Sequence, residues 1–200
     1  MRNLKRALSL TLASVMLLGM MVIGTSAASY PDVTEEHNVE AIEVLQAVGV
    51  MSGSDSGNFN PDSNVNRLEM AVVMSNLLSL KVDYFEGQCK FTDVPEWAGK
   101  YVAACEANGI VSGIGNNQYG IGNVTATQAA LMMLKALGYF QYAQDFQGGW
   151  EQETAKLASN LSLFKGLDVA NTTPLTRNQV AQLALNTLKS PVVQADKSGS

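Results

Sequence analysis

The sequence is poor in the residues that build most metal and nucleophilic sites. Its 200 residues include one histidine and two cysteines, too few ligands for a conventional zinc site. His37 stands among polar residues, and no recognisable nucleophile motif accompanies it as a catalytic triad would require. Carboxylates are plentiful but scattered, so their spacing does not single out a glycosidase pair. We therefore expect no catalytic centre, no metal and no cofactor.

Positive charge is also scarce. Thirteen Lys and Arg residues face eighteen Asp and Glu residues, which gives a net charge of −5. Nothing basic clusters beyond the first six positions, so an electrostatic grip on nucleic acid or anionic lipid is not expected. With 46% hydrophobic and 16% charged residues, the chain is too apolar for a disordered tail and too polar for a multi-span membrane protein.

Residues 1–28 have the three parts of a secretory signal peptide. A basic start within 1–6 precedes an apolar stretch at 7–23, and an exit of small residues follows. The alternative is a retained transmembrane anchor, which the length allows but which polar and glycine residues within the stretch disfavour. We predict cleavage after Ala27 or Ala28, which leaves an acidic, exported protein without membrane attachment.

The rest of the chain is a threefold repeat with a period of roughly 50 to 60 residues. Each segment has a helical stripe of apolar residues, a glycine-punctuated loop and a second helix. The loop and the start of the second helix lie at 49–53 with 65–71, 109–113 with 124–130, and 162–166 with 175–181. A lone helical hairpin of about 50 residues buries too little surface to be stable. We therefore predict one all-α domain over 29–190, with repeats at about 30–80, 91–138 and 144–190, and a tail or linker at 191–200.

The two cysteines admit two interpretations. In an exported protein a disulfide between Cys89 and Cys105 is chemically possible. Cys105, however, falls on the apolar face of a predicted helix, at the position where the first repeat carries Leu45. That position favours a small buried hydrophobic side chain instead.

A capping box opens each second helix. The pairs are Asn66 with Glu69, Thr125 with Gln128, and Thr176 with Gln179. In such a box the cap side chain accepts a hydrogen bond from a first-turn N–H, and the Glu or Gln reaches back to the cap. We assign these six residues to helix initiation.

Capping does not explain Arg67 and Arg177. Both are predicted at the first helical position, where the positive end of the helix macrodipole makes a cation mildly unfavourable. The first-turn N–H groups of a helix lack partners within the helix and attract anions. A guanidinium beside them can hold a carboxylate or phosphate bidentately, so this combination favours a pocket for a small anion. The alternative is an arginine that extends into solvent or pairs with a nearby Asp. Ala126 takes this position in the middle repeat, where we expect weak binding or none.

These repeats resemble the S-layer homology (SLH) family over about residues 30–190. The resemblance is carried by the Gly-Val/Ile-x-Ser-Gly loops, the Thr-Arg-x-Gln helix starts or their variants, Trp150 opening the third repeat, and the segments Tyr30-Pro31-Asp32-Val33, Phe91-Thr92-Asp93-Val94-Pro95-Glu96-Trp97 and Phe59-Asn60-Pro61. It implies a pseudo-threefold bundle whose inter-repeat grooves bind secondary cell-wall polysaccharide, often through a pyruvylated sugar, or a peptidoglycan-linked glycan. Such binding would anchor an exported protein non-covalently at the bacterial cell surface.

The resemblance also implies site residues. Arg67 and Arg177 would take the carboxylate of the pyruvyl ketal. Glycine in the loops would permit close backbone approach, and the tryptophans would offer a sugar-facing surface or pack at the head of a first helix. The residues implied in these lining roles are Ser52, Gly53, Ser112, Gly113, Trp97 and Trp150.

The sequence departs from the family pattern in each repeat. The first has His37 near the place of the tryptophan, the middle one lacks the motif arginine, and the third lacks a clear Phe-x-Asp-Val opening and has a shorter loop. We therefore expect one or two functional grooves. The alternative function is an envelope protein–protein docking module, or a decayed member of the family that binds no glycan.

Overall fold

The computed structural model describes residues 30–193. The predicted signal peptide and residues 194–200 of the predicted tail lie outside them. The described chain forms six α-helices: α1 (Val39–Ala47), α2 (Arg67–Leu77), α3 (Glu96–Ala107), α4 (Ala126–Ala136), α5 (Trp150–Asn160) and α6 (Arg177–Leu188). Short 3₁₀ helices at Val82–Phe85 and Ala143–Phe146 lead into α3 and α5. The predicted all-α fold is confirmed, and no helix within 30–193 is long and apolar enough to cross a membrane.

The second helix of each repeat begins at a complete capping box. At α2, the Glu69 N–H donates to Asn66 Oδ1 and the Asn66 N–H donates to Glu69 Oε2, each at 2.9 Å. The same reciprocal pair is formed by Thr125 with Gln128 at α4 and by Thr176 with Gln179 at α6. These local bonds satisfy first-turn donors and place residues 67, 126 and 177 at equivalent first helical positions.

Helices pack across repeats and close a ring. Each first helix lies on the second helix of the preceding repeat, so that α3 packs on α2, α5 packs on α4 and α1 packs on α6. At the closing contact the Asn38 N–H donates to Asn178 Oδ1 at 2.7 Å, and Lys189 Nζ lies 3.3 Å from Glu40 Oε1. Since that ion pair is exposed, burial of apolar side chains of α1 and α6 in the common core contributes more to closure.

A closed circuit of three backbone hydrogen bonds marks the pseudo-threefold axis. The Val65 N–H donates to the Leu175 carbonyl at 2.9 Å, the Leu175 N–H to the Val124 carbonyl at 3.0 Å, and the Val124 N–H to the Val65 carbonyl at 2.9 Å. All three side chains are buried. Because buried backbone groups must find partners, the extended segment before each second helix requires both of the other repeats.

Cys105 is a buried core residue of α3. Its thiol donates to the Ala71 carbonyl at 3.4 Å and lies 3.3 Å from Ser75 Oγ. Burial raises the pKa of the thiol to about 11, so it stays protonated and unreactive at neutral pH. Both cysteines are free. The interpretation of Cys105 as a small buried side chain is confirmed, and the Cys89–Cys105 disulfide is not formed.

The first residues of the predicted tail belong to the packed body. The Val193 N–H donates to the Leu137 carbonyl at 2.9 Å, and the Val193 carbonyl lies against Gly138. Gly138 has φ +96° and no side chain, so the segment 191–193 can lie directly over the end of α4.

Candidate functional site

Arg177 reaches from the start of α6 into the loop of the first repeat. Its Nε donates to the Phe59 carbonyl and its Nη2 to the Ser52 carbonyl, both at 2.7 Å. The guanidinium carbon lies 4.6 Å from the centroid of the Phe59 ring. The side chain is half-buried, so an aromatic face and two backbone carbonyls of a neighbouring repeat fix the cation in place.

Arg67 makes the equivalent arrangement between α2 and the loop of the second repeat. Its Nη2 donates to the Ser112 carbonyl at 2.9 Å, and its guanidinium carbon lies 4.5 Å from the centroid of the Tyr119 ring. The Tyr119 hydroxyl donates to the Arg67 carbonyl at 3.2 Å. Unlike the Nε of Arg177, the buried Nε of Arg67 has no hydrogen-bond partner within the described residues.

Neither guanidinium pairs with a carboxylate within the described residues. The ion pairs found there involve His37, Lys90, Lys100 and Lys189. The two arginines therefore neither extend freely into solvent nor pair with a nearby Asp, the two forms that the alternative interpretation took. Their carbonyl partners carry no net charge, but carboxylates beyond ion-pair distance act on them: Glu69 and Asp32 on Arg177, and Asp93 on Arg67. Each cation therefore lacks a direct ionic partner and can take one from outside the chain.

The starts of α4 and α6 are not open anion sites, which corrects one part of the sequence-based prediction, whereas at α2 the Leu68 N–H has no hydrogen-bond partner within the described residues. The N–H groups of Arg67, Ala126 and Arg177 donate to the carbonyls of Gly122, Thr173 and Ser63 at 2.9–3.0 Å. The capping side chains take the N–H of the third residue of each helix. Loops from neighbouring repeats supply these acceptors, and no local pattern shows them. An anion at α6 would therefore meet the guanidinium without a free helical amide, and at α2 it would meet the guanidinium and the Leu68 N–H.

The loop glycines make room for the protein's own aromatic rings. A Cβ on Gly53 would strike the Tyr30 ring and come within 2.8 Å of the Asn58 carbonyl. One on Gly113 would strike the Phe91 ring and come within 2.6 Å of the Gln118 carbonyl. The close approach expected at these glycines is thus to an aromatic side chain, which corrects the reason inferred for them.

Two aspartates that were not predicted as site residues hold the loops that carry Phe59 and Tyr119, the rings on which the two guanidinium groups lie. Asp32 accepts from the Phe59 N–H at 2.9 Å and from the next N–H at 2.6 Å. Asp93 accepts from the Tyr119 and Gly120 N–H groups at 2.7 and 2.8 Å. The signal was present, because both stand third in the openings that begin at Tyr30 and Phe91. Each carboxylate fixes the loop whose ring lies under a guanidinium.

These hydrogen bonds shift the two carboxyl groups. Partial burial pulls the pKa of Asp32 upward, but the N–H groups of Phe59 and Asn60 outweigh it and leave the pKa below its usual range. At Asp93 the Tyr119 N–H is the largest influence and it lowers the pKa. A depressed folded-state pKa stabilises the fold above the unfolded value of about 4, and that contribution is lost as pH falls through the folded value.

We therefore expect acid, and not mild alkali, to weaken the hydrogen bonds by which Asp32 and Asp93 hold these loops. The free energy of unfolding should fall steeply below about pH 4, and Asp32→Asn/Asp93→Asn should show a shallower acid decline from a lower neutral starting value. Urea unfolding across a pH series measures both. Asp55→Asn, at an exposed aspartate outside these hydrogen bonds, is the control; an acid decline equally shallow in that variant would contradict the assignment.

The remaining predicted lining residues take varied positions. Ser52 and Ser112 contribute backbone carbonyls, and their side chains are exposed. Trp97 and Trp150 lie in the first turns of α3 and α5 and are 56% and 40% exposed. No hydrogen bond or ring contact within 30–193 joins either tryptophan to an arginine site, so a role for them in the same groove stays a prediction.

Within residues 30–193, no arginine stacks on an aromatic ring at the interface between α4 and the loop of the third repeat. Ala126 is fully buried at the position of the arginines, and the loop of the third repeat carries Lys165 where the others carry Ser52 and Ser112. The Lys165 carbonyl instead accepts from Asn186 Nδ2 at 2.8 Å. The interface therefore lacks both the stacked guanidinium and the carbonyl arrangement that holds it.

Two of the surface clefts in the described part of the chain are similar in volume. One of about 340 Å³ borders the loop that holds Arg177 and is lined by Asp32, Asn60, Pro61, Asp62 and Ser63. The other, of about 320 Å³, is lined by Gly138, Tyr139, Phe140, Gln141, Tyr142, Asp145, Leu157 and Val193. Of these two, the first is the one joined to an arginine site through shared loop residues.

The sequence is similar to proteins of known families. The family model of the S-layer homology domain matches residues 29–71 and 90–125. An S-layer protein of Bacillus licheniformis is 29% identical over 174 residues, and S-layer protein EA1 of Bacillus anthracis is 28% identical over 174, each match covering 81% of this chain and 20% of the relative. The middle cell wall protein of Brevibacillus brevis is 26% identical over 202 residues, covering 98% of this chain and 18% of the relative.

The chain thus spans about a fifth of the length of these relatives. The matched segments cover most of the first two repeats. The third repeat shares their capping box and their place in the circuit of backbone hydrogen bonds. Two of the three repeats of this chain therefore match the S-layer homology domain, and most of the chain is similar to S-layer and cell wall proteins.

Proposed function

We propose that this domain anchors its chain non-covalently to the bacterial cell envelope. The partner is a secondary cell-wall polysaccharide bound in the inter-repeat grooves, and the recognised group is a carboxylate such as that of a pyruvylated sugar. Arg67 and Arg177 take the carboxylate. Relatives named as S-layer proteins and as a cell wall protein support a location at the cell surface or wall.

This proposal rests on an arrangement that occurs twice, a guanidinium lying over an aromatic ring at an interface between repeats. Two interfaces each present an arginine over a buried aromatic ring, held by backbone carbonyls and by no carboxylate of the described chain. This arrangement has a folding cost, because half-burying a cation removes solvation that only one or two neutral acceptors replace. A carboxylate from outside the chain supplies the direct ionic and bidentate partner that each guanidinium lacks.

Co-sedimentation with purified cell-wall sacculi tests the proposal. The wild-type protein should pellet with the walls, and the Arg67→Gln/Arg177→Gln variant should lose binding by at least about tenfold, since each charge-assisted contact contributes about 1.5–3 kcal/mol. Chemical removal of pyruvate from the walls should abolish the difference between the two proteins. Arg67→Lys/Arg177→Lys should recover binding only in part, because an ammonium cannot make the bidentate contact.

The controls separate binding from folding. Lys100→Gln removes a surface cation whose partner is Asp83 and should bind like the wild type. Thermal unfolding verifies that each arginine variant is folded at the assay temperature. Equal pelleting of wild type and double variant would contradict the carboxylate role, and binding that survives pyruvate removal would favour the protein-docking alternative.

A further inference from the structure

We propose that the cleft of about 320 Å³ beyond the end of α4 binds an uncharged saccharide through the flat C–H face of a pyranose ring. It is lined by the segment 139–142, which connects the second repeat to the third, and by Leu157 of α5. We call it the aromatic cleft. This inference goes beyond the proposed function, because neither Arg67 nor Arg177 lines the cleft and the recognised group is not an anion.

The aromatic cleft is separate from the position that the arginines occupy. Both arginines stand at the first residue of their helices, and the equivalent residue of α4 is Ala126. The cleft begins at Gly138, beyond the other end of α4. An α-helix rises about 1.5 Å per residue, so the 11 residues of α4 separate the cleft from the helix start by about 16 Å. A ligand in the cleft therefore lies away from the place of a guanidinium.

The connection that forms the cleft differs from the one between the first two repeats. The C-caps Leu78 and Leu137 are equivalent, but a 3₁₀ helix begins four positions after the first and six positions after the second. The second connection has Tyr139-Phe140 where the first has Leu80-Lys81. The repeat pattern therefore does not account for the extra length or for the aromatic residues.

Phe140 has a backbone conformation that bulky residues rarely adopt. Its φ is +55°, in the left-handed region, where Cβ crowds the backbone. Such strain persists only where the surrounding structure fixes it, and it is concentrated at functional sites. The Phe140 ring stacks on that of Phe146, with centroids 4.7 Å and planes 15° apart. The strained turn thus holds an aromatic ring in the wall of the cleft.

Tyr142 presents an exposed ring on a fixed backbone. The residue is 53% exposed. Its N–H donates to Asp145 Oδ2 at 2.9 Å, and the Asp145 N–H donates to the Tyr142 carbonyl at 3.0 Å. A tyrosine ring can bury the apolar surface of a ligand while its hydroxyl stays in water. Because the backbone is already held, little further ordering opposes binding.

The charges around the cleft favour an uncharged ligand. Among the described residues that line it, Asp145 is the one with a charge. Its Oδ2 is used by the Tyr142 N–H, which leaves Oδ1 to accept from a ligand hydroxyl. Lys135, in the last turn of α4, stands three positions before Gly138. With a charge of each sign near this end of the helix, neither an anion nor a cation is strongly attracted.

A pyranose ring matches this combination of groups. One face of the ring carries C–H groups, which aromatic side chains can cover, and hydroxyls surround it, which Asp145 and the Gln141 amide can bind. The cleft volume of about 320 Å³ is at the lower end of the range of about 300–1,000 Å³ for ligand pockets. The cleft therefore suits a short saccharide segment.

NMR titration with cellotetraose and chitotetraose, two uncharged β-linked saccharides, tests the proposal. The amide signals of residues 139–142 should shift and saturate. Tyr142→Ala should weaken binding about two- to tenfold. Asp145→Asn keeps an oxygen for the Tyr142 N–H but loses the charge, and should weaken binding by a similar factor. Tyr84→Ala, at an exposed tyrosine of the first connection, is the matched control and should bind like the wild type.

The Arg67→Gln/Arg177→Gln variant distinguishes this inference from the proposed function. It should lose wall binding and still bind both tetrasaccharides, so either result can fail without the other. Wall binding that survives pyruvate removal should be lowered by Tyr142→Ala, and no change would count against the cleft. Absence of shifts at 139–142 with both saccharides, or unchanged affinity in Tyr142→Ala, would overturn the inference. Shifts caused by tetramethylammonium and not by the saccharides would assign the rings to a cation instead. Urea unfolding verifies that each variant is folded.

Discussion

Tyr119→Ala is expected to lower the free energy of unfolding by about 3–5 kcal/mol, as truncation of a large buried aromatic residue does. Tyr119 is fully buried, its ring centroid lies 5.5 Å from that of Phe91, and the Arg67 guanidinium carbon lies 4.5 Å from the same centroid. Burial also raises the pKa of its phenol, so the hydroxyl stays protonated and donates to the Arg67 carbonyl. Since small domains are stable by only about 5–15 kcal/mol, urea unfolding should register the change clearly.

Two matched variants locate the origin of this effect. Tyr119→Phe removes the hydroxyl alone and should cost about 0.5–1.5 kcal/mol, because the first repeat carries Phe59 in the same role. Tyr84→Ala removes an exposed tyrosine ring and should change stability by less than about 0.5 kcal/mol. If Tyr119→Ala unfolded at the same urea concentration as Tyr84→Ala, the Tyr119 ring would not be part of the core.

Gly113→Ala is expected to destabilise the domain by about 1–3 kcal/mol, the range for added volume in a packed site. The new methyl group would lie 2.6 Å from the Gln118 carbonyl and against the Phe91 ring. The ring can rotate, but the backbone carbonyl cannot move without displacing the turn that contains it. That turn follows Ser112, whose carbonyl holds Arg67, so the proposed wall binding should weaken as well.

Gly122→Ala is the matched control for this substitution. Gly122 lies in the same loop region, an added methyl group there would meet no described atom within 4 Å, and its backbone does not occupy the left-handed region. Its replacement should change the midpoint of urea unfolding little, by less than about 0.5 kcal/mol in stability. A fall in Gly122→Ala as large as that in Gly113→Ala would point to loss of backbone flexibility in general and not to a clash.

Much of the helical architecture could be predicted because its causes are local. The stripe that includes Ile42 and Leu45 predicts α1, and Gly49, with φ +73°, follows its end. The capping pairs predict the starts of α2, α4 and α6 to the residue, since cap and partner stand three positions apart. The repeat of these signals along the chain was enough to predict an all-α fold of three units.

The candidate site was only partly predictable, because some of its contacts are local in sequence and others are not. The equivalent placement of Arg67 and Arg177 follows from the local motif. Their partners do not, because Phe59 and Ser52 lie more than a hundred positions from Arg177 in the chain. Asp32 and Asp93 were likewise visible as motif residues, but the loop N–H groups that they bind lie 26 to 28 positions away.

The amino-acid sequence by itself determined the three repeats, their helix starts and the paired arginines, since periodicity and capping act within a few residues. Only the tertiary structure decided that first helices pack on the preceding repeat, that neighbouring loops bind the first amide of each second helix, and that each guanidinium lies on an aromatic ring. These features depend on closing the ring of three repeats, because donors and acceptors distant in sequence meet only when the common core has formed.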